Sequence, residues 1–110
     1  MTVALPLYKK LILLYRIEPG CLGPEGGEHV EAFCDFARKK LKDKHKHFMR
    51  WTIKPRYDKG LPELEFQIKN APISREQAAK FMVAFDVNIN AFEEQLEEEL
   101  AQLVDDFFER

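Results

Sequence analysis

Two stretches of strictly alternating side chains stand out along the chain. Met49, Trp51 and Ile53 alternate with Arg50, Thr52 and Lys54, and after a polar tip Leu64, Phe66 and Ile68 alternate with Glu63, Glu65 and Gln67. A period of two marks a strand with one buried face. Setting Ile53 opposite Leu64 brings Trp51 against Phe66 and Met49 against Ile68, so one face is wholly apolar. The same register sets Lys54 across from Glu63 and Thr52 across from Glu65, and a slip of one residue would mix both faces. The pattern predicts an antiparallel β-hairpin closed through Pro55 to Pro62, with Asp58-Lys59-Gly60 as its turn.

The flanking segments follow the helical period. In Leu5 to Ile17, Tyr8, Leu11, Ile12 and Tyr15 fall at i, i+3, i+4 and i+7, and Pro6 suits a first helical position. A buried strand is the competing reading of so short an apolar run, and the helix is preferred. After a loop from Gly20 to Gly27, Val30, Phe33, Cys34, Ala37 and Leu41 share one face of a second helix, about Glu28 to Leu41. Its acidic N-terminus and its basic end, Arg38 to Lys42, complement the helix dipole. Beyond the hairpin, Asn70-Ala71-Pro72 reads as a turn and Ser74 to Gln77 as a capping box. Ala78, Phe81, Met82 and Phe85 then mark a third helix. Asn90, with Glu93 three residues on, caps a fourth, striped by Phe92, Leu96, Leu100, Leu103, Val104 and Phe107.

The expected fold is therefore α+β, a single small domain over residues 1–110. It has two N-terminal helices (the first with a strand as its alternative), a central antiparallel hairpin, and two C-terminal helices covering the hairpin's apolar face. The adjacent Phe107 and Phe108 cannot both join one stripe, which predicts a small exposed apolar patch.

Composition narrows the class without naming an activity. Hydrophobic residues make up 45% and charged residues 33%, the balance of a globular chain rather than a disordered one. No apolar run approaches the roughly 18 residues of a membrane span, and no cleavable leader pattern opens the sequence. Two cysteines are too few for a secreted disulfide framework, so two free thiols and a cytoplasmic location are expected. The net charge of −2 conceals a division. Residues 1–69 hold 14 Lys and Arg against 9 Asp and Glu, and residues 70–110 hold 3 against 10. Such segregation predicts that the two parts face one another, within the fold or in an oligomer.

Candidate chemistry is sparse. The loop Gly20 to Gly27 precedes a helix, as phosphate-cradling loops do, yet it lacks the Lys-Ser/Thr pair, and Glu25 and Glu28 would repel an anion. Cys21, His29, Cys34, His45 and His47 are ligand types for zinc, but their spacing fits no compact tetrahedral site. No metal or other cofactor is expected. Cys21 could act as a nucleophile with His29 as its base, although no third group completes the arrangement and no catalytic residue can be assigned. The run from Arg38 to Arg56 is the strongest feature, with Arg38, Lys42, Arg50, Lys54 and Arg56 as the candidate binding residues. The expected function is that of a non-enzymatic regulatory or adaptor domain, binding another protein or a second copy of itself through charge-complementary surfaces. Nucleic-acid binding through residues 38–56 is the first alternative and a small thiol- or metal-dependent enzyme the second; a membrane partner is not expected.

Overall fold

A computed structural model describes residues 4–109. In chain order the elements are β1 (Leu11–Ile17), α1 (Gly26–Leu41), β2 (Met49–Pro55), β3 (Leu64–Ile68), β4 (Ala71–Ile73), α2 (Arg75–Val83) and α3 (Ile89–Phe108), with short 3-10 turns at Leu7–Lys9 and Pro19–Leu22. The strands form one mixed sheet in the order β2-β1-β3-β4. Strand β1 runs parallel to β2 and antiparallel to β3, and β3 is antiparallel to β4.

This arrangement corrects the expected helix, helix, hairpin, helix, helix order in two respects. The first element is a strand, and the two alternating arms do not pair with each other because β1 lies between them. The lateral rows nevertheless match the predicted register. Trp51 and Phe66 flank Leu13, and Ile53 and Leu64 flank Tyr15. Side-chain alternation fixes which residues share a face and a row, while remaining silent on whether a third strand is inserted in that row. Strand β1 takes the central place because its run Leu-Ile-Leu-Leu-Tyr-Arg-Ile is apolar on both faces, and all seven residues are buried.

The insertion requires the 56–63 connection to pass over the end of β1, and backbone bonds hold it there. The Arg56 N–H donates to the Ile17 carbonyl at 2.8 Å, and the Arg16 N–H donates to the Glu63 carbonyl at 2.7 Å. The Arg16 side chain is buried, with Nη1 donating to the Pro62 carbonyl at 2.8 Å and lying 3.5 Å from Glu65 Oε1. The Arg56 guanidinium donates to the carbonyls of Leu61 and Lys59 and reaches Glu18 at 3.3 Å. Asp58 and Gly60 do form the expected tight turn, with the Gly60 N–H donating to Asp58 Oδ1 at 2.9 Å. That turn caps a crossover and does not close a hairpin.

The hairpin in the molecule joins β3 and β4 at Lys69 and Asn70, both at positive φ (54° and 65°), the combination two-residue hairpin turns require. Helix starts are encoded as expected or close to it. Ser74 Oγ accepts from the Gln77 N–H at 3.1 Å while Gln77 Oε1 accepts from the Ser74 N–H at 2.9 Å. Helix α3 is capped two residues before the expected position, by Asn88, whose side chain accepts from the Ala91 N–H at 3.0 Å.

One buried cluster joins the helices to the inward face of the sheet. It holds Leu11, Leu13, Tyr15 and Ile17 of β1, Met49, Trp51 and Ile53 of β2, Phe66 of β3, and the apolar stripes of α1, α2 and α3. Cys34 belongs to it, as the stripe of the second helix implies. Phe107 and Phe108 are half-buried rather than an exposed patch. Phe107 packs edge-on against Phe33 at 5.5 Å and Phe108 against His29 at 5.4 Å between ring centroids. Ile12 and Leu14 are buried outside this cluster, on the sheet face turned from the helices.

Candidate functional site

The basic residues singled out in the sequence are divided among three places. Arg50 and Lys54 project with Thr52 from the exposed side of β2, on the sheet face that carries Ile12 and Leu14. Arg38 and Lys42 belong to the last turn and C-cap of α1, in the helix layer behind the sheet, and Arg38 lies 3.4 Å from Asp35 across one helical turn. Arg56 is occupied in the crossover, as described above. The fold thus sets Arg50 and Lys54 on one exposed face of β2, engages Arg56 in the crossover, and places Arg38 and Lys42 on α1.

Strand β2 is an edge strand, hydrogen-bonded only to β1. On its open face Arg50 is the lateral neighbour of Ile12, Thr52 of Leu14 and Lys54 of Arg16. Across β1, Gln67 and Glu65 of β3 complete the rows. On this face Ile12 and Leu14 are buried between a cationic margin along β2 and a mixed polar one along β3. Among the described residues neither Arg50 nor Lys54 has an ion-pair partner.

Within one chain the segregated charge is not consumed, contrary to the first of the two arrangements expected, in which the parts face each other inside the fold. Among the described residues, the Lys44–Glu99 pair is the one ion pair joining residues 1–69 to residues 70–110. The remaining pairs are local to one part, as with Arg75 and Glu93 between α2 and α3.

The aromatic and imidazole groups of the basic run face inward. Trp51 is buried, and its Nε1–H donates to the Lys44 carbonyl at 2.9 Å, pinning the turns that lead into β2. His47 lies edge-on to Phe48 at 4.8 Å, and His45 tilts over Phe48 at 5.3 Å and Phe92 at 5.8 Å. Burial, then the neighbouring charges of Lys44 and His47, lower the His45 pKa from its ordinary 6.5, with Glu99 opposing. The unfolded chain therefore binds more protons than the folded one between the lowered value and 6.5, and stability rises with pH there. The contribution of His45 is complete above about pH 6.5 and is lost as pH falls toward the lowered value. The urea midpoint should thus drop between pH 7.5 and pH 5.5, and His45→Asn, which suits the positive φ of 55° at this position, should shrink that drop. An unchanged drop would show that carboxylates alone set the acid sensitivity.

The thiols and metal-ligand types converge less than their number suggests. Cys34 is buried in the core, and burial followed by Asp35 and Glu31 pushes its thiol up to about 12. Cys21 is exposed on the Pro19–Leu22 turn, and burial of its sulfur with Glu63 and Glu18 nearby raises its pKa, the opposite of nucleophile activation. The structure sets His29 against Phe107 and Phe108, and gathers carboxylates about Cys21. Among the described residues, the one group of three ligand-bearing side chains within 4.8 Å of one another is Glu25, Glu28 and His29, at the start of α1. It shares only His29 with the zinc set considered from the sequence.

A second hollow escaped the sequence reading. Tyr15, with Leu64, Leu96 and the carboxylates of Glu63, Glu93 and Glu97, lines a cavity of about 200 Å³ between the sheet and α3. Glu93 and Glu97 belong to α3 and Glu63 directly precedes β3, and Tyr15 joins them because it lies in a central strand and not in the helical stripe its spacing suggests. A tyrosine in a central strand, in a row with Ile53 and Leu64, would have been the signal. The chain matches no family model, no curated protein and no solved structure.

Proposed function

We propose that this chain is a non-enzymatic adaptor or regulatory domain of the cytoplasm that binds an acidic surface of another protein on the open face of its sheet. The observation that carries the reading is the pair Arg50 and Lys54. Both lie on an edge strand, exposed, without an ion-pair partner among the described residues, beside the buried Ile12 and Leu14. Two cations on one face of a strand present a set pattern of charge, and charge complementarity of that kind governs specificity and association rate. The unpaired edge of β2 offers backbone donors and acceptors to the same partner. An acidic protein is favoured over nucleic acid because Trp51, His45 and His47, the groups that could stack on bases, are packed against the fold's own residues.

The test is crosslinking of the intact protein in its native host, comparing the wild type with the Arg50→Glu/Lys54→Glu variant and with Arg38→Glu/Lys42→Glu. A discrete protein adduct should form with the wild type and the α1 variant, and fall at least tenfold with the β2 variant. Equal adducts in all three, or an adduct abolished by nuclease, would overturn the reading. If the adduct is a second copy of the chain, sedimentation of the pure protein should show a dimer that dissociates with salt.

A further inference from the structure

Arg16 is the one charged side chain buried among the described residues, with only 6% of the residue exposed, and the fold uses half of its donors. Nη1 donates to the Pro62 carbonyl and lies 3.5 Å from Glu65 Oε1. Nε is fully covered and has no hydrogen-bond partner, which is true of no other buried side-chain nitrogen or oxygen among the described residues. Nη2 makes no hydrogen bond among them either. Buried donors are almost always paired, so an unpartnered one on a guanidinium points to an acceptor that the chain itself does not supply.

The planar fork of the group says where that acceptor would lie. Its three nitrogens fan out in one plane about the central carbon, so the edge formed by Nε and Nη2 faces directly away from Nη1. Nη1 is turned toward β3, because Glu65 belongs to that strand and Pro62 leads into it. The unpartnered edge is therefore turned toward β2. There the lateral neighbour of Arg16 is Lys54, which has no ion-pair partner among the described residues. Alternation along the strands sets Arg16 on the same open face as Arg50 and Lys54. In the rows of that face three cations meet one carboxylate, Glu65, whose other oxygen accepts from Gln67.

We propose that the Nε–Nη2 edge of Arg16 and the ammonium of Lys54 form a seat for one carboxylate, supplied by an aspartate or glutamate side chain of the protein partner. One oxygen accepts from Nη2 and the other from Nε, the paired geometry that a guanidinium offers and an ammonium does not, and Lys54 closes the outer side. Nη2 is met first, and Nε, covered in the free protein, as the carboxylate settles. Glu65, beside the guanidinium, opposes a doubly charged phosphate group more than a singly charged carboxylate. The inference rests on the acidic partner proposed above and names the group which that partner inserts.

Nitrogen-15 NMR of the full chain alone at neutral pH tests it. The Arg16 Nε–H signal is followed while sodium acetate, sodium phosphate or sodium chloride is added at matched ionic strength. Acetate should move the signal saturably and at least five times farther than chloride. Lys54→Gln should weaken acetate binding threefold or more, while Lys39→Gln, at an exposed position on α1, should leave it unchanged. Both substitutions are at exposed side chains, and the Arg16 signal itself reports that the buried fork is still in place. A signal that ignores acetate, or that titrates alike in Lys54→Gln and the wild type, would overturn the proposal. Phosphate bound tenfold more tightly than acetate would also overturn it, making the seat one for a phosphoryl group. The crosslinking described above separates this inference from the reading it rests on. An adduct lost with Arg50→Glu/Lys54→Glu, but no response of Arg16 to acetate, keeps the binding face and removes the seat. A saturable acetate response with no adduct supports the carboxylate seat and overturns the protein partner alone.

Discussion

Gly26→Ala should destabilise the protein by about 3 kcal/mol or more, while its neighbour Gly27→Ala should be neutral or stabilise by up to about 1 kcal/mol. A Cβ at Gly26 would lie 1.7 Å from the Pro19 carbonyl oxygen and 2.7 Å from its carbon, so the backbone of the Pro19–Leu22 turn would have to leave the start of α1. Nothing lies within 4 Å of a Cβ at Gly27, where alanine merely has the better helix propensity. Urea unfolding of both variants beside the wild type checks the pair. The glycine-rich loop thus serves close packing between a turn and a helix.

Leu13→Ala should cost about 2–5 kcal/mol, a large share of the roughly 5–15 kcal/mol that stabilises a domain of this kind. Leu13 is fully buried at the middle of the sheet, in one row with Trp51 and Phe66. Leu7→Ala, at a side chain 64% exposed, should stay within about 0.5 kcal/mol. The comparison bears directly on topology. A helix over residues 5–17 with its stripe at Tyr8, Leu11, Ile12 and Tyr15 would leave Leu13 off the buried face, and the substitution would then be mild. A loss of less than about 1 kcal/mol at Leu13 would contradict the central position of β1.

How far the fold is legible in the sequence depends on whether neighbouring residues or distant ones decide the outcome. The capping box at Ser74 and Gln77, the alternation of residues 49–54 and the stripe from Val30 to Leu41 are local signals, and each specifies the element that forms. Strand β1 carries no period of its own because both of its faces are buried, so a run with incidental helical spacing resembles a helix. The three residues of β4 follow a turn with no glycine, where Lys69 and Asn70 adopt positive φ and give little warning. The face proposed for binding is half legible. Arg50 and Lys54 follow from alternation, but the separation of Arg38, Lys42 and Arg56 from them depends on which way α1 and the crossover turn. Tyr15 was out of reach for the same reason as β1.

The central place of β1 also sets a schedule for biosynthesis. Leu11 pairs with Met49, and Ile12 pairs with Gln67, so the first strand made must wait for both partners. A ribosome adding about 5–20 residues per second needs on the order of 3–10 s to pass from Ile17 to Ile68. Until β2 emerges the most continuously apolar segment of the chain has neither edge satisfied, its β3 edge stays open to the end of the interval, and it is the segment on which a chaperone, or a neighbouring nascent chain, would act. A sheet whose central strand is the last one made carries no such wait.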